Sequence, residues 1–327
     1  MKSSGLLFFF LVISLYVLAQ SPAISYSTPK TFIINTMAGP LSPNNAGGAV
    51  PPNVYTRVTT LAGGRAPVSY DGNGGGDAGF DKPSGIATDA DGTIYVSDFG
   101  SGAIRKITPL GKVSTIGNVD SPAGITTYQG DLFVTSFNHS RIYKIASNGF
   151  VSVFAGSGSS GSSDGTATSA SFNSPGGITS DATGNLFVAD QVNNKIRKIT
   201  AQGVVSTIAG SGASGSADGN ALSATFNNPD GVAVDKDGII YVADSKNNKI
   251  RKILNGIVTT HAGNGTPAAI DKPGISGSFN YPTSITIDAM GYLYVADYRN
   301  NLIRRVSAAG DVLTIAGSGI AGSKKRV

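Results

Sequence analysis

The feature that most constrains this chain is a unit of four short strand-like runs, best developed in residues 226–263. The runs cover 231–235, 239–244, 249–253 and 257–263, and their side chains alternate between apolar and polar with a period of two residues. The dipeptides between the runs are Asp237-Gly238, Asn247-Asn248 and Asn255-Gly256. Gly and Asn reach the positive φ angles that tight hairpins need, so the unit predicts an antiparallel meander of four strands.

This unit occurs five times, over residues 80–117, 121–156, 172–210, 226–263 and 279–317. One meander cannot bury both of its faces, so the copies must stack on one another. Four strands per repeat, at a spacing of about 40 to 55 residues, are typical of the blades of a β-propeller. No helical period of 3.6 residues is sustained after the first twenty residues, which excludes a solenoid of helix pairs. We therefore expect an all-β fold with five complete four-stranded blades.

The repeated pattern is P-x-G-I-A-x-D, followed by I/L-Y/F-V-A-D-x-x-N-N-x-I-R-K-I and then by V-S-T-I-A-G. This pattern resembles the NHL repeat, which is found in propeller domains. The resemblance covers about residues 56–317 and implies an NHL β-propeller over that range. It implies little about function, because this fold serves lyases, receptors, RNA-binding proteins and scaffolds alike.

The number of repeats bears on how the propeller closes. NHL domains usually have six blades, whereas five full repeats are present. The segment 58–64, VTTLAGG, repeats the last-strand motif without the three strands that should precede it. We expect an incomplete six-bladed ring, with its sixth position partly open or plugged by strands from residues 30–62, and possible self-association through the open edge. The alternative is that five blades close tightly on themselves. Residues 318–327 are interpreted as a truncated loop and a basic tail.

The first residues predict export. Lys2 precedes an apolar run that ends in Val17-Leu18-Ala19, which is typical of a signal peptide over residues 1–19. The run is shorter than the ~20 residues that a membrane span needs. The chain has no Cys, so it has no site for lipoprotein attachment at a processed cysteine. We expect a secreted, periplasmic or cell-surface protein.

Residues 20–55 differ in composition from the repeats, and we interpret them as a Pro-rich leader with one or two strands. Residues 24–50 resemble the opening strands of immunoglobulin-like domains from bacterial surface proteins. A complete domain of that kind needs about 100 residues, so the leader cannot contain one. The resemblance implies an exported bacterial protein.

Four of the repeats carry an Asp at the end of the second strand and an Arg seven residues later. These pairs are Asp98 and Arg105, Asp190 and Arg197, Asp244 and Arg251, and Asp297 and Arg304. Repeat two has Ser136 and Tyr143 at the two positions, so both members are absent together. Removing one member of a buried ion pair costs about 3–5 kcal/mol, because it leaves a charge unpaired. The pattern therefore predicts intrablade ion pairs with a structural role and not a catalytic one.

Several kinds of active site are disfavoured by the composition. All 20 acidic residues are Asp, and there are two His. Propeller lactonases of the gluconolactonase type are similar in fold but hold a cation with Glu, Asn and Asp, and this chain has no Glu. Propeller lyases of the virginiamycin B type and amidating lyases rely on His. His139 and His261 lie in separate repeats, and we interpret them as surface or packing residues. We predict no catalytic residue, no metal, no cofactor and no enzymatic activity.

Two further kinds of site are also disfavoured. Asp71, Asp164 and Asp218 lie in Gly/Ser-rich crossing loops, but their spacing lacks the regular carboxylates of a calcium loop, and we interpret them as tight turns. Basic residues recur on the third strand of the repeats, but Asp residues recur as often. No single-sign face is implied, and we expect no nucleic-acid partner and no membrane span.

Two functions remain open. The first is an exported, non-catalytic propeller that binds an unknown protein or glycan through loops at the ends of its blades. The alternative is a cation-dependent lyase or hydrolase that uses Asp and Asn at the central channel.

Overall fold

The computed structural model describes residues 58–64, 68–73 and 76–322, together with the two short strands Ile24–Ser25 and Asn44–Asn45. These two strands pair antiparallel, with Ile24 opposite Asn45. The predicted signal peptide, the rest of the leader and residues 323–327 lie outside the described residues. The expectations for those segments stay predictions.

Five antiparallel meanders form the blades of a β-propeller, as the repeats predict. Blade one has the strands Pro83–Thr88, Ile94–Asp98, Ala103–Ile107 and Val113–Asn118. Blade two has Pro122–Tyr128, Asp131–Ser136, Arg141–Ile145 and Val151–Ala155. Blade three has Pro175–Ser180, Leu186–Asp190, Lys195–Ile199 and Val204–Ala209. Blade four has Pro229–Val234, Ile240–Asp244, Lys249–Leu254 and Ile257–Ala262. Blade five has Pro282–Ile287, Leu293–Asp297, Leu302–Val306 and Val312–Ala316.

The crossing loops add small elements to this plan. A fifth strand of two residues, Gly165–Thr166 or Gly219–Asn220, pairs with the fourth strand of blade three or four. Short 3₁₀ helices cover Ala167–Ser169, Ser245–Asn247, Gly274–Ser276 and Tyr298–Asn300. Among the described residues, no helix is long and apolar enough to cross a bilayer.

The hairpin turns follow from the residues that the sequence places there. In blade four, Asn248 has a left-handed φ of 53°, and Asn255 and Gly256 have φ values of 50° and 75°. These angles turn the chain so that Asp244 pairs with Lys249 across the second hairpin. The predicted antiparallel meander is confirmed.

The hydrophobic core lies between the blades. In one cluster, Ala189 and Ile196 of blade three pack with Val232 and Val242 of blade four. Equivalent clusters join blade one to blade two, blade two to blade three and blade four to blade five. The two-residue alternation along each strand thus supplies one apolar face to the preceding blade and one to the next.

The inner strands approach one another closely in blades one to four. This is possible because the third residue of each of these inner strands is Gly. A Cβ atom added at Gly85, Gly124, Gly177 or Gly231 would lie 2.3, 2.6, 2.7 or 2.4 Å from a carbonyl oxygen of the next inner strand. Real Cβ atoms do not come this near to a main-chain oxygen. The spacing of the blades around the axis is therefore set by contact between backbones.

The seam between blades five and one is not packed like the other four. From blade one to blade five, each inner strand packs against the inner strand of the next blade, whereas among the described residues no comparable contact joins the inner strands of blades five and one. Ile86 on blade one is 63% exposed, and Ile303 on blade five is 40% exposed. Leu61 and Ala62 pack against the core of blade one, whereas residues 26–43 and 46–57, which include most of the predicted plug, lie outside the described residues. The seam between blades five and one is therefore less packed than the other four, and the incomplete six-bladed ring stays a prediction.

Replacing Gly124 with Ala should lower the melting temperature by several degrees. The new Cβ would lie 2.6 Å from the carbonyl oxygen of Gly176, so the strands must move apart. Such overpacking costs about 1–3 kcal/mol, and each kcal/mol shifts the melting temperature of a chain of this size by about 2–4 °C. Ser284→Ala is the matched control, because this inner-strand position of blade five already carries a Cβ and is exposed. Calorimetry that found equal melting temperatures for the two variants would contradict the backbone-contact account.

Candidate functional site

The four Asp and Arg pairs lie inside their blades. The nearest oxygen-to-nitrogen distance is 2.7 Å for Asp190 and Arg197, and 2.8 Å for Asp244 and Arg251. It is 2.7 Å for Asp297 and Arg304, and a longer 3.6 Å for Asp98 and Arg105. All eight side chains are buried. Their structural role stays a prediction.

Each of these arginines also holds the crossing loop that enters its blade. In blade three, Arg197 donates hydrogen bonds to the carbonyl oxygens of Ser171 and Ser163, both at 2.9 Å. Its guanidinium carbon lies 5.1 Å from the centroid of the Phe172 ring, a cation–π distance. The Arg thus fastens the loop to the third strand through charge, hydrogen bonds and ring contact together.

A second carboxylate completes this clamp, and the sequence analysis did not identify it. Asp164 accepts a hydrogen bond from Arg197 at 2.8 Å and another from the Thr207 hydroxyl at 2.9 Å. Burial alone would raise the pKa of Asp164, but the hydrogen bonds from Thr207 and Arg197 outweigh it and hold the pKa below its usual value. The equivalent loop residues in blades one, four and five are Asp71, Asp218 and Asp271.

The interpretation of Asp71, Asp164 and Asp218 as tight turns is therefore wrong. The Gly after Asp164 and the Gly after Asp218 begin the short fifth strands, and Gly72 forms a bridge with Val113. The Asp side chains accept hydrogen bonds from Arg and Thr side chains, and the chain does not form a tight turn at these residues. Comparing the crossing loops would have shown an Asp that precedes the Arg by 33 or 34 residues in all four repeats.

Blade two shows why the pair is absent there. The connection that enters this blade runs only from Asn118 to Pro122, whereas the one that enters blade three spans residues 156–172. There is no long loop for an Arg to hold. The Ser136 hydroxyl donates a hydrogen bond to the carbonyl oxygen of Asp120, and Tyr143 packs against the cluster between blades one and two.

The Asn-Asn motif has a role beyond its turn. Asn247 donates hydrogen bonds to Asp244 of the same blade and to the carbonyl oxygen of Gly215 in the entering loop. Asn248 accepts a hydrogen bond from the backbone N–H of Tyr281, the residue just before the next inner strand. Asn194 accepts the equivalent hydrogen bond from the backbone N–H of Asn228, so the motif links blades three and four to the blades that follow them.

At the end of the propeller where the inner strands begin, three positions per repeat carry residues that the repeat does not dictate. The residues before the inner-strand Pro are Lys82, Ser121, Ser174, Asn228 and Tyr281, and all five have φ between 50° and 58°. The residues after that Pro are Ser84, Ala123, Gly176, Asp230 and Thr283. Those after the second strand are Phe99, Phe137, Gln191, Ser245 and Tyr298. At these positions, blade three thus carries an amide (Gln191), blade four a carboxylate (Asp230) and blade five two Tyr side chains.

Four of these side chains and one neighbour, Arg299, form what we call the entrance cluster, defined as Gln191, Asp230, Tyr281, Tyr298 and Arg299. Gln191 is hydrogen-bonded to the Asp230 carboxylate. The guanidinium of Arg299 lies 4.6 Å from the centroid of Tyr281, whose ring lies 6.4 Å from that of Tyr298. Tyr298 and Arg299 are exposed, so the cluster opens to solvent. Blades three, four and five each supply part of it.

The carboxyl of Asp230 is the unusual group of this cluster. Burial raises its pKa to about 7, and the hydrogen bond from Gln191 only partly offsets this effect. The backbone at Gly176 leaves room for it, because a Cβ there would lie 2.7 Å from an Asp230 carboxylate oxygen. Burial also raises the pKa of Tyr281, and the charge of Asp230 adds to that shift. At neutral pH, Asp230 can therefore either donate or accept a proton.

The two histidines lie outside this cluster. His139 is exposed in blade two. His261 packs edge-on against Tyr241, and its Nε2 lies 3.2 Å from the carbonyl oxygen of Ser307. Within the described parts of the chain, no three or more His, Cys, Asp or Glu residues converge to hold a metal ion.

Asp244→Ala should lower the melting temperature by many degrees. The change leaves the buried Arg251 without its 2.8 Å partner and frees the side chain of Asn247, at a cost of about 3–5 kcal/mol. Asp237→Ala is the control, because its pair with Lys236 is exposed and should contribute little. Thermal unfolding of both variants measures the difference. An unchanged melting temperature for Asp244→Ala would remove the structural role.

Comparisons with known sequences give relatives that agree with the repeats. Residues 71–218 match the family model of the Teneurin NHL domain, and residues 226–253 and 279–305 match that of the NHL repeat. Human Teneurin-4 is 27% identical over 282 residues, which cover 72% of this chain and 10% of Teneurin-4. NHL repeat-containing protein 2 of Gallus gallus is 39% identical over 119 residues, or 36% of this chain and 16% of that protein. The chain thus spans only a small part of the length of these relatives.

Solved structures show the same fold at low sequence identity. An auxiliary nutrient binding protein from Bacteroides thetaiotaomicron is 17% identical with a TM-score of 0.57, and the match covers 73% of this chain and 60% of that one. A chain of a nidogen/laminin complex is 19% identical with a TM-score of 0.53, covering 69% and 76%. A streptogramin B lyase is 17% identical with a TM-score of 0.50, covering 71% and 67%. These matches show the fold alone, whereas the two family models and the five repeated blades show that the chain belongs to the NHL-repeat β-propellers.

Proposed function

We propose that this protein is an exported, non-catalytic β-propeller that binds a protein or a glycan through the entrance cluster. The observation that carries the proposal is the cluster itself, because its residues depart from the repeat at one place where three blades meet. Along the strands, by contrast, the side chains recur from blade to blade as packing requires. A departure that adds exposed aromatic and charged groups serves no packing need.

The chemistry of the cluster suits a ligand with both a flat apolar face and polar groups. Tyr281 and Tyr298 offer rings of the kind that are enriched at binding surfaces, where a ring packs and its hydroxyl bonds. Arg299 offers several hydrogen-bond donors, and Asp230 with Gln191 offers acceptors and an amide donor. Sugar rings and peptide segments both have this mixture of surfaces.

Export and a place at the cell surface are part of the proposal. They rest on the signal-like residues 1–19. Similar folds occur in a chain of the nidogen/laminin complex and in nutrient binding proteins, whose names describe binding.

A second candidate function is a propeller lyase or hydrolase that works through Asp230. The specific observation in its favour is the pKa of about 7, since a general base works best with a pKa near the operating pH. A streptogramin B lyase shares the fold. A cation at the channel would be an additional feature of such an enzyme.

Binding through the entrance cluster is tested with a glycan array and a panel of purified secreted proteins. The protein should bind a ligand that Arg299→Ala and Tyr281→Ala each bind at least about tenfold more weakly, as loss of a central binding residue does. Arg305→Ala and Tyr292→Ala are matched controls, because that pair has the same 4.6 Å cation–π geometry on the outer part of blade five. Equal binding by all four variants would place the site elsewhere. Turnover of the captured ligand that Asp230→Asn abolishes would favour the lyase.

Asp230→Asn should also change how stability depends on pH. The folded pKa of about 7 lies above the usual unfolded value, so protonation of Asp230 favours folding at low pH. That contribution is lost as the pH rises through about 7. At about pH 8.5, the melting temperature of Asp230→Asn should exceed that of the parent chain by at least about 2–4 °C. At about pH 4, the two melting temperatures should be nearly equal. A gain that is the same at both pH values would contradict the raised pKa.

A further inference from the structure

Arg299 is the exposed cation of the entrance cluster, and its position suits a carboxylate on a ligand. Its guanidinium lies 4.6 Å from the centroid of the Tyr281 ring. Each of the four clamp arginines lies within salt-bridge distance of two Asp side chains, whereas no salt bridge to Arg299 forms within the described part of the chain. A guanidinium that rests on a ring keeps the N–H groups of its edge free. These groups can bind one carboxylate through two parallel hydrogen bonds.

The carboxyl of Asp230 lies near the same ring but is not paired with this cation. Burial raises the pKa of Tyr281, the charge of Asp230 raises it further and the charge of Arg299 lowers it, so both charges lie close to Tyr281. The hydrogen-bond partner of the Asp230 carboxyl is the neutral amide of Gln191. The cluster therefore presents a cation and a carboxyl at separate places around one ring. A ligand that fits both must carry an anion for the first and hydrogen-bond donors for the second.

Hydroxyl groups match the Asp230 carboxyl better than an ammonium group does. Burial raises the pKa of Asp230 to about 7, so at neutral pH both forms of the carboxyl are present. An ammonium would bind the ionised form alone, and the nearby charge of Arg299 would repel it. A hydroxyl can donate to the ionised carboxyl and accept from the protonated one. The amide of Gln191 can likewise donate to a hydroxyl or accept from it.

The two tyrosines supply flat apolar surface beside these polar groups. Tyr298 is 65% exposed, and its ring centroid lies 6.4 Å from that of Tyr281. The C–H face of a sugar ring can pack on such a surface while the polar groups at its edge form hydrogen bonds. An acidic peptide also carries a carboxylate for Arg299, but it has few neutral hydroxyl groups close to that carboxylate. The combination of groups therefore favours a sugar over a peptide.

We propose that the entrance cluster binds a glycan that contains uronic acid units, an inference that rests on the proposed function and narrows its ligand to one chemical class. The carboxylate of one unit pairs with Arg299. Its hydroxyl groups bond to Asp230 and Gln191, and its ring packs on Tyr298. A neutral sugar would leave Arg299 without a partner and should bind more weakly.

The test compares acidic polysaccharides with their own carboxyl-reduced forms, in which each uronic carboxylate is replaced by a neutral hydroxymethyl group. The probes are polygalacturonate, alginate, hyaluronan and heparosan, and dextran sulfate is the control for negative charge without carboxylate. Binding to the full chain is measured by biolayer interferometry at about 0.15 M salt. At least one native polymer should bind about tenfold or more tightly than its reduced form, because the reduced form lacks the charged hydrogen-bond partner of Arg299. Dextran sulfate should bind no more tightly than the reduced forms.

Two variants separate the carboxylate contact from the ring contact. Arg299→Gln should bind the native and reduced forms equally, with the affinity that the parent chain has for the reduced form. Tyr298→Ala should weaken the binding of both forms and keep their ratio, because packing of the sugar ring does not depend on its carboxylate. Arg305→Gln is the matched control, since Arg305 has the same 4.6 Å cation–π contact on the outer part of blade five. This variant should keep the ratio of the parent chain.

The inference is wrong if every native polymer binds like its reduced form, if Arg299→Gln keeps the ratio of the parent chain, or if Arg305→Gln loses it equally. Tight binding of dextran sulfate would show attraction to negative charge in general and would also overturn it, as would the failure of all four acidic polymers to bind. In each of these cases the proposed function still stands if Arg299→Ala or Tyr281→Ala weakens the binding of a neutral glycan or a secreted protein. If no ligand depends on these residues, the proposed function fails as well.

Discussion

Contact between the backbones of neighbouring inner strands is the constraint on which the rest of the structure depends. Wherever Gly85, Gly124, Gly177 or Gly231 meets the next strand, the space is too small for a single carbon atom. This spacing brings the apolar faces of successive blades together, because each strand alternates its side chains between the two sides. The fifth inner strand has Ser284 instead, and at the seam beyond it Ile303 and Ile86 are left exposed. The inner-strand Gly is thus present at the four packed interfaces and absent at the seam.

A second set of interactions holds each long polar loop against its blade. In each of these clamps, a buried Arg binds two Asp side chains. Each buried Arg binds one Asp from the second strand and one from the entering loop, and it also binds loop carbonyl groups. A buried guanidinium needs partners for its hydrogen-bond donors, and the loop supplies them. Blade two has a short entering connection and needs no clamp. The absence of both Asp and Arg there follows from the length of the loop as well as from the cost of an unpaired charge.

Much of the fold could be predicted from the sequence because the repeat encodes it locally. The Asn and Gly turns, the alternation and the five copies specify the blades, and the spacing of seven residues between Asp190 and Arg197 places both on adjacent antiparallel strands. The partners of that pair were harder to predict. Asp164 lies 33 residues before Arg197, across a loop whose path no local pattern defines.

The entrance cluster was missed for a related reason. Its members come from blades three, four and five, so no stretch of sequence shows them together. The signal lay in a comparison of equivalent positions: Asp230 is the charged residue among Ser84, Ala123, Gly176 and Thr283. Its raised pKa depends on crowding by other blades, which only the folded arrangement reveals. The residues that recur from blade to blade indicated how the blades pack, and the residues that differ between blades indicated the candidate site.

The central claim is that five blades leave an unpacked seam, and distances between spin labels test it most directly. Cysteines for labelling can be placed in the exposed turns between the first and second strands at Asp91, Asp237 and Met290, which lie in blades one, four and five. Double electron–electron resonance on pairs of spin labels then measures the distance across the seam and the distance across a packed interface. The account predicts that the distance between positions 91 and 290 clearly exceeds the distance between positions 237 and 290. Equal distances would mean that blades one and five are neighbours in a closed five-bladed ring, and would contradict it.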